Sequence, residues 1–159
     1  MKYLVDQPDL VAEFVARMIP HVGALGFGRC RAIGVVDDNH ELVAGLVYHH
    51  MDPHSGIIEM SGAALPGHQW ATRETLKLMY QYPFLQVGAQ MVVMRVLYSD
   101  ERLLRQLAAL NYEFIRVPRL FGRDRDGVLC LLTYEDWVAN KLCRRFGHHV
   151  PDTQAQEAA

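Results

Sequence analysis

Lysine is scarce in this chain. The 16 basic residues include only Lys2, Lys77 and Lys141 as lysines, and with 18 acidic residues the formal net charge is −2. A general polyanion binder needs a basic excess, so that class is excluded. Cysteine is scarce too. Cys30, Cys130 and Cys143 are far apart, odd in number and without CxxC spacing, which excludes a zinc framework or a disulfide scaffold and leaves small buried hydrophobes in a reducing compartment. No apolar run approaches the roughly 18–20 residues of a membrane helix. Asp6 and Pro8 interrupt the start too early for a secretory signal, so a cytoplasmic protein is expected. There is no internal repeat and no interior linker.

What is present fits one folded domain: 159 residues, 50% of them hydrophobic, with 12 Gly and 7 Pro, which is neither collagen-like nor disordered usage. We expect a single domain over 1–148 and a disordered tail over 149–159, where Pro151 is followed by a polar stretch without an apolar face. The eight His raise the question of a metal. His49-His50 and His148-His149 are adjacent pairs, and neighbours on a strand point to opposite faces, so no metal site is expected.

Along the chain, Asp6 and Pro8 announce a helix with Leu10, Val11, Phe14, Val15 and Met18 as its stripe, ended by Pro20. A loop with Gly23, Gly26 and Gly28 follows. Strands are expected over 32–36, 42–48 and 56–61, joined by turns at Asp37-Asp38-Asn39-His40 and Asp52-Pro53-His54-Ser55-Gly56. A loop of small residues over 62–69 leads to a helix from Trp70 to about Tyr82, closed by Pro83. Residues 91–97, Met-Val-Val-Met-Arg-Val-Leu, form the most apolar strand and are expected to be central. Asp100 caps a helix through Leu110, and Asn111 takes the left-handed stop. A hairpin of 112–117 and 128–134 then runs into a last helix through Arg145, started by Thr133 or Tyr134. This order predicts an α/β (α+β) domain with a mixed, mostly antiparallel central sheet flanked by helices.

That order resembles the GNAT superfamily of acyl-CoA-dependent N-acyltransferases over about residues 8 to 138. A strand meander delivers the chain into a small-residue loop and helix, where the family holds the CoA pyrophosphate. The strand 91–97 with Ser99-Asp100 and its helix, the stop Leu110-Asn111-Tyr112 where members often read Leu-Gly-Phe, and the closing Val128-Leu-Cys-Leu-Leu-Thr-Tyr-Glu-Asp-Trp137 continue the likeness. It is also similar to the shorter bacterial and phage acetyltransferases. The chain departs from the pattern twice. Where members carry Gln or Arg and then Gly-x-Gly or Gly-x-Ala, it reads Ala64-Leu-Pro-Gly67-His-Gln-Trp70. Where members often carry the Tyr that protonates the leaving thiolate, it has Leu107. The glycines at 23, 26 and 28 follow a helix and precede a strand, the wrong order for a phosphate cradle.

The resemblance implies transfer of an acetyl group from acetyl-CoA to an amine by direct attack. Such chemistry needs a base for the amine, a polarised thioester carbonyl and a proton for the thiolate. Glu59, mid-strand where the family often keeps a Glu, is the candidate base, and His49 and His50 compete with it. A backbone N–H around Ala63 or Ala64 polarises the carbonyl. Ser99 is the candidate proton donor for the thiolate, beside Tyr98, although Ser99 and Asp100 are also ordinary capping residues. The amides of Gly67, His68 and Gln69 face phosphate, Trp70 covers the cofactor or packs on the sheet, and Arg73 reaches the phosphates or solvent. Arg116, Arg119, Arg123 and Arg125 surround Phe121 as a basic cluster broken by Asp124 and Asp126. The alternative is a GNAT-shaped binding module that has lost catalysis and serves a protein or nucleic-acid partner through that cluster; nucleic acid is the less favoured partner. The amine acceptor is a small molecule or a peptide, the chain does not enter a membrane, and exposed sheet edges allow a homodimer.

Overall fold

A computed structural model describes residues 1–141. Cys143, the expected end of the last helix near Arg145, His148 and the expected tail from 149 lie outside the described residues.

A short strand, β1 (Lys2–Leu4), pairs antiparallel with β2 (Arg31–Val36). Its three residues are too few to show a periodicity, and sequence reasoning missed it. Between them runs α1 (Pro8–Met18), with Pro8 in the first turn as expected. Asp6 does not cap it: the N-cap position belongs to Gln7, without a side-chain bond. Val11 and Val15 are fully buried, whereas Leu10 is 49% exposed and lies off the packing face. The helix descends onto a glycine saddle. Gly34 and Gly45 are register partners on β2 and β3 (Leu42–Asp52). A Cβ at Gly45 would stand 2.6 Å from Val15, and one at Gly34 would stand 2.9 Å from Val11. Only glycine lets a helix backbone approach a sheet this closely.

The meander continues through β4 (Ile57–Ala64), antiparallel to β3. Its turns close as their residues predict. Asp37 accepts from the amides of Asn39 and Glu41, and Asp52 accepts from the His54 amide and the Ser55 hydroxyl. β4 runs to Ala64, so Gly62 to Ala64 are strand and the expected loop begins at Leu65.

Helix α2 (Arg73–Gln81) starts three residues later than Trp70, because Thr72 supplies the cap by accepting from the Thr75 amide at 3.2 Å. Pro83 does not stop the chain; a π-helical turn, Tyr82–Val87, carries on to the left-handed Gly88. A proline amide cannot bond the carbonyl four residues back. That carbonyl belongs to Met79, and the buried Tyr48 hydroxyl donates to it at 2.6 Å. The continuation therefore costs no orphaned acceptor.

β5 (Met91–Leu97) is central as expected, flanked by β4 and β7 (Gly127–Thr133). Between β5 and β7 come α3 (Glu101–Ala109), capped by Asp100, and the edge strand β6 (Glu113–Val117). Asn111 takes the left-handed turn at φ 70°. Thr133 caps α4 (Tyr134–Ala139) by accepting from the Asp136 amide. The sheet order is β1-β2-β3-β4-β5-β7-β6, with β4–β5 as the one parallel pair among the described residues. Alternation along β3 and β4 sends Val47 and Ala63 toward α1, and Leu46, Tyr48, Ile58 and Met60 into the main core with Met79, Tyr80, Leu107 and Trp137.

Candidate active site

The parallel pair positions the site. Its register runs Ile57↔Met91, Ile58↔Val92 and Glu59↔Val93, and there it ends. Met60–Ala64 and Met94–Leu97 continue as strands on outer neighbours but do not pair with each other. A wedge-shaped gap therefore opens in the middle of the sheet. Alternation decides which backbone groups face it. The Leu65 amide donates to the Val43 carbonyl at 2.8 Å, so its set, Leu65, Ala63 and Ser61, turns toward β3. Gly62 and Ala64 belong to the other set and present N–H and C=O to the gap. Of the two amides expected at the carbonyl, Ala64 faces the gap and Ala63 faces β3. On the opposite wall the Tyr98 amide donates to Asp126, which leaves the alternate residues Arg95 and Leu97 facing the gap.

At the closed end of the wedge sits Glu59, its side chain 18% exposed. One carboxylate oxygen accepts from Arg95 Nε at 2.7 Å, and the other lies 3.0 Å from His50 Nδ1 and 3.9 Å from His49 Nδ1. The two histidine Nδ1 atoms are 2.7 Å apart, and His49 Nε2 lies 3.0 Å from the Ser61 hydroxyl. The expectation that adjacent histidines cannot converge fails on its premise. His50 has φ 49°, and the β3–β4 register slips between His49 and Asp52. A bulge of this kind re-aims one side chain onto its neighbour's face.

Burial disfavours ionisation of Glu59, but the Arg95 hydrogen bond and positive charge and the His50 contact outweigh it and hold the carboxyl below its ordinary range. Burial pushes the His49 imidazole down to about 4, with Arg95 adding to the effect. At neutral pH the cluster is thus a carboxylate paired to a guanidinium, with His49 neutral. One protonation pattern satisfies the contacts: His49 Nε2–H donates to Ser61, and His50 Nδ1–H donates into the pair of acceptors, Glu59 and His49 Nδ1. With the His50 ring neutral, that pattern leaves its lone pair on Nε2, on a side chain that is 66% exposed.

Two loops lie over this face. Phe27, from the loop after α1, packs its ring 4.9 Å from that of His49, and the ring of His21 lies tilted 4.4 Å from that of Phe121 of the β6–β7 hairpin. Burial lowers the His21 imidazole, with Arg95 and Arg125 nearby. Gly23, Gly26 and Gly28 all have positive φ with open space where a Cβ would stand, so they serve the backbone path of this loop and not a close approach.

The remaining predicted residues lie farther along the wedge. Gly67 has φ 81° and nothing near its Cβ position, so its loop presents bare backbone. His68 and Gln69 are exposed, and the charge of His68 lowers the Asp37 carboxyl after the stronger effect of the Glu41 amide, which places this loop beside the β2–β3 turn. Trp70 precedes α2 and is partly buried against the core, and Arg73 is exposed in the first turn of α2. Ser99 is not in the Glu59 cluster. It lines a separate cavity of about 340 Å³ past the end of β5, with Tyr98, Arg116 and Asp126. The arginine cluster is partly neutralised: Arg116 donates twice to Asp126 and lies 3.8 Å over the Tyr98 ring, and the Arg119 amide also donates to Asp126.

Sequence reasoning missed Arg95, Ser61, His21 and Phe27. Arg95 did leave a signal, as the lone charge in Met-Val-Val-Met-Arg-Val-Leu. A charge inside a central apolar strand needs a partner on the adjoining strand, and Glu59 on β4 is that partner.

No family profile matches the sequence. No curated protein matches it either. The fold is similar to solved N-acetyltransferases. A chimera of the spermidine N-acetyltransferase SpeG from Vibrio cholerae with hSSAT aligns at TM-score 0.69 and 10% identity, covering 87% of this chain and 99% of that one. A point mutant of SpeG from Vibrio cholerae aligns at TM-score 0.61 and 14% identity, covering 70% and 68%. The ribosomal-protein-S5-alanine acetyltransferase from Vibrio fischeri aligns at TM-score 0.59 and 16% identity, covering 68% and 63%. With the mixed sheet splayed at the β4–β5 parallel pair, these likenesses establish that the chain has the fold of the GNAT N-acetyltransferases.

Proposed function

We propose that this protein is an N-acetyltransferase that moves an acetyl group from acetyl-CoA to an amine. The observation that carries the reading is the wedge between β4 and β5, with unpaired backbone amides along its walls and a carboxylate–imidazole pair at its closed end. The pantetheine arm of CoA is an extended chain with two amides, and a strand edge with free N–H and C=O groups is the surface that pairs with such a chain. The gap-facing amides are those of Gly62 and Ala64; Gly62, nearer the His50–Glu59 end, is suited to the thioester oxygen, and Ala64, expected there from the sequence, to the pantetheine arm. The pyrophosphate then falls at the bare loop around Gly67, His68 and Gln69 and at the N-terminus of α2, with Arg73 beside it. Trp70, half-packed on the core, borders that loop.

In this reading Glu59 is not itself the proton acceptor. A carboxyl held low by Arg95 is too weak a base for an ammonium. Glu59 instead fixes the tautomer of His50, whose Nε2 takes the proton from the amine. The amine nitrogen attacks the thioester carbon, the C–S bond breaks, and the thiolate takes up a proton from water, because Ser99, the hydroxyl expected for that step, lines a separate cavity past the end of β5.

The test is release of free CoA thiol from acetyl-CoA with a panel of primary amines: polyamines, amino acids and short peptides. Wild type should turn over at least one of them. Glu59→Gln and His50→Ala should each lower kcat about 10²-fold with KM for acetyl-CoA little changed. Turnover by both variants equal to wild type would remove the pair from the chemistry. The absence of turnover with any amine would move the assignment to a binding module.

A further inference from the structure

His49, His50 and Glu59 aim three donor atoms at one point. Nδ1 of His49, Nδ1 of His50 and a carboxylate oxygen of Glu59 lie within 4.8 Å of one another, at 2.7, 3.0 and 3.9 Å pair by pair. Three lone-pair atoms facing each other need a cation among them, and in the metal-free protein a single shared proton fills that role. We propose that this triad also binds a divalent transition ion of the zinc class, through both Nδ1 atoms and the Glu59 carboxylate.

Four features of the geometry support it. Two imidazoles and one carboxylate are a donor set that zinc, cobalt and nickel share and that magnesium and calcium disfavour. Ligand atoms about 2.1 Å from a tetrahedral ion stand roughly 3.4 Å apart. The observed spacings bracket that value, and the ring that must shift, His50, is the exposed one. The groups around the triad are already those of an ion site. Ser61 accepts from His49 Nε2 and so keeps the lone pair on Nδ1, while Arg95 holds the far oxygen of Glu59 and orients the near one. Three protein ligands on one side also leave a fourth position toward solvent.

The ion has a consequence for turnover, one that rests on the acetyltransferase reading. Bound at His50 Nδ1, the ion displaces the proton there, and the neutral ring carries its proton on Nε2 instead. The nitrogen that accepts the amine proton is then blocked, so zinc inhibits.

The experiment is calorimetric titration of the chelator-treated full chain with Zn²⁺, alongside visible absorption on adding Co²⁺ and a Mg²⁺ control. Wild type should bind one ion per chain at the triad, with the intense tetrahedral cobalt spectrum and no heat from Mg²⁺. His50→Ala, on an exposed ring that the fold does not need, and Glu59→Gln should each weaken that site at least about tenfold, while Cys30→Ser should leave it unchanged. Failure of wild type to bind Zn²⁺, or equal affinity in wild type and His50→Ala, would overturn the site. Zinc bound at the triad without inhibition would uphold the site and remove His50 as the base. Catalysis by a chain that does not bind zinc would leave the acetyltransferase reading standing and the metal site refuted.

Discussion

Glu59 meets three partners from two neighbouring strands, and that crowding sets its role. Arg95 on β5 neutralises it, while His50 on β3 borrows its charge. The residue was legible in sequence as a carboxylate in mid-strand, but its work as the orienter of a histidine was not. That depends on a left-handed His50 and a slipped register, neither of which alternation predicts. Of the two described cysteines, Cys130 follows the sequence expectation of burial, whereas Cys30 is only half-buried. Cys130 is fully buried among apolar neighbours, and burial pushes its thiol up to about 12. In the native protein near pH 8 a thiol-alkylating reagent should leave Cys130 unmodified, and it should react only when denaturant is added. Mass mapping of the labelled peptides checks this; rapid native labelling of Cys130 would contradict the packing.

At the scale of elements, the turns and most of the caps were legible, each dictated by a local residue, although Asp6 does not cap α1 and Thr72, not Trp70, sets the start of α2. Asp37, Asp52, Asp100, Asn111 and Thr133 all act where their chemistry predicts. Proline misled, because the donor that rescues Met79 is Tyr48, far away in sequence. The seat of α1 is also a tertiary fact: two glycines that look unremarkable in a strand pattern permit Val11 and Val15 to touch the sheet. Gly45→Ala should therefore force α1 outward and cost about 1–3 kcal/mol, measured by urea denaturation; an unchanged midpoint would mean the helix can shift freely.

The β6–β7 hairpin gives a pH test. Hydrogen bonds from Arg116 and from the Arg119 amide hold the Asp126 carboxyl below its ordinary value. A carboxyl with a lowered folded pKa contributes stability above its unfolded value, near 3.9, and loses it as pH falls through the folded one. Asp126→Asn should melt lower than wild type at neutral pH, with the difference shrinking below about pH 4. A difference independent of pH would show that the charge contributes nothing.

At the scale of the whole molecule, the order of helices and strands was legible because each segment carries its own period and stop. The splay was not, since nothing in the two strands separately says that their pairing ends at Glu59↔Val93. That gap is what distinguishes this sheet from a continuous one. It opens onto the backbone of Gly62 and Ala64, close to the loop where the resemblance implied that CoA phosphates sit. Among the described residues no helix is long and apolar enough to cross a membrane.

The central claim, that the wedge takes an acyl-CoA, is tested most directly by the melting temperature with and without millimolar acetyl-CoA, with CoA and ATP as comparisons. Ligand at about 100 times its dissociation constant adds roughly 2.7 kcal/mol, a shift of several degrees. The account predicts that acetyl-CoA and CoA raise the melting temperature, that ATP does not, and that Arg73→Glu, on the exposed first turn of α2, needs about tenfold more acetyl-CoA for the same rise. No shift with acetyl-CoA, or an equal shift with ATP, would contradict it.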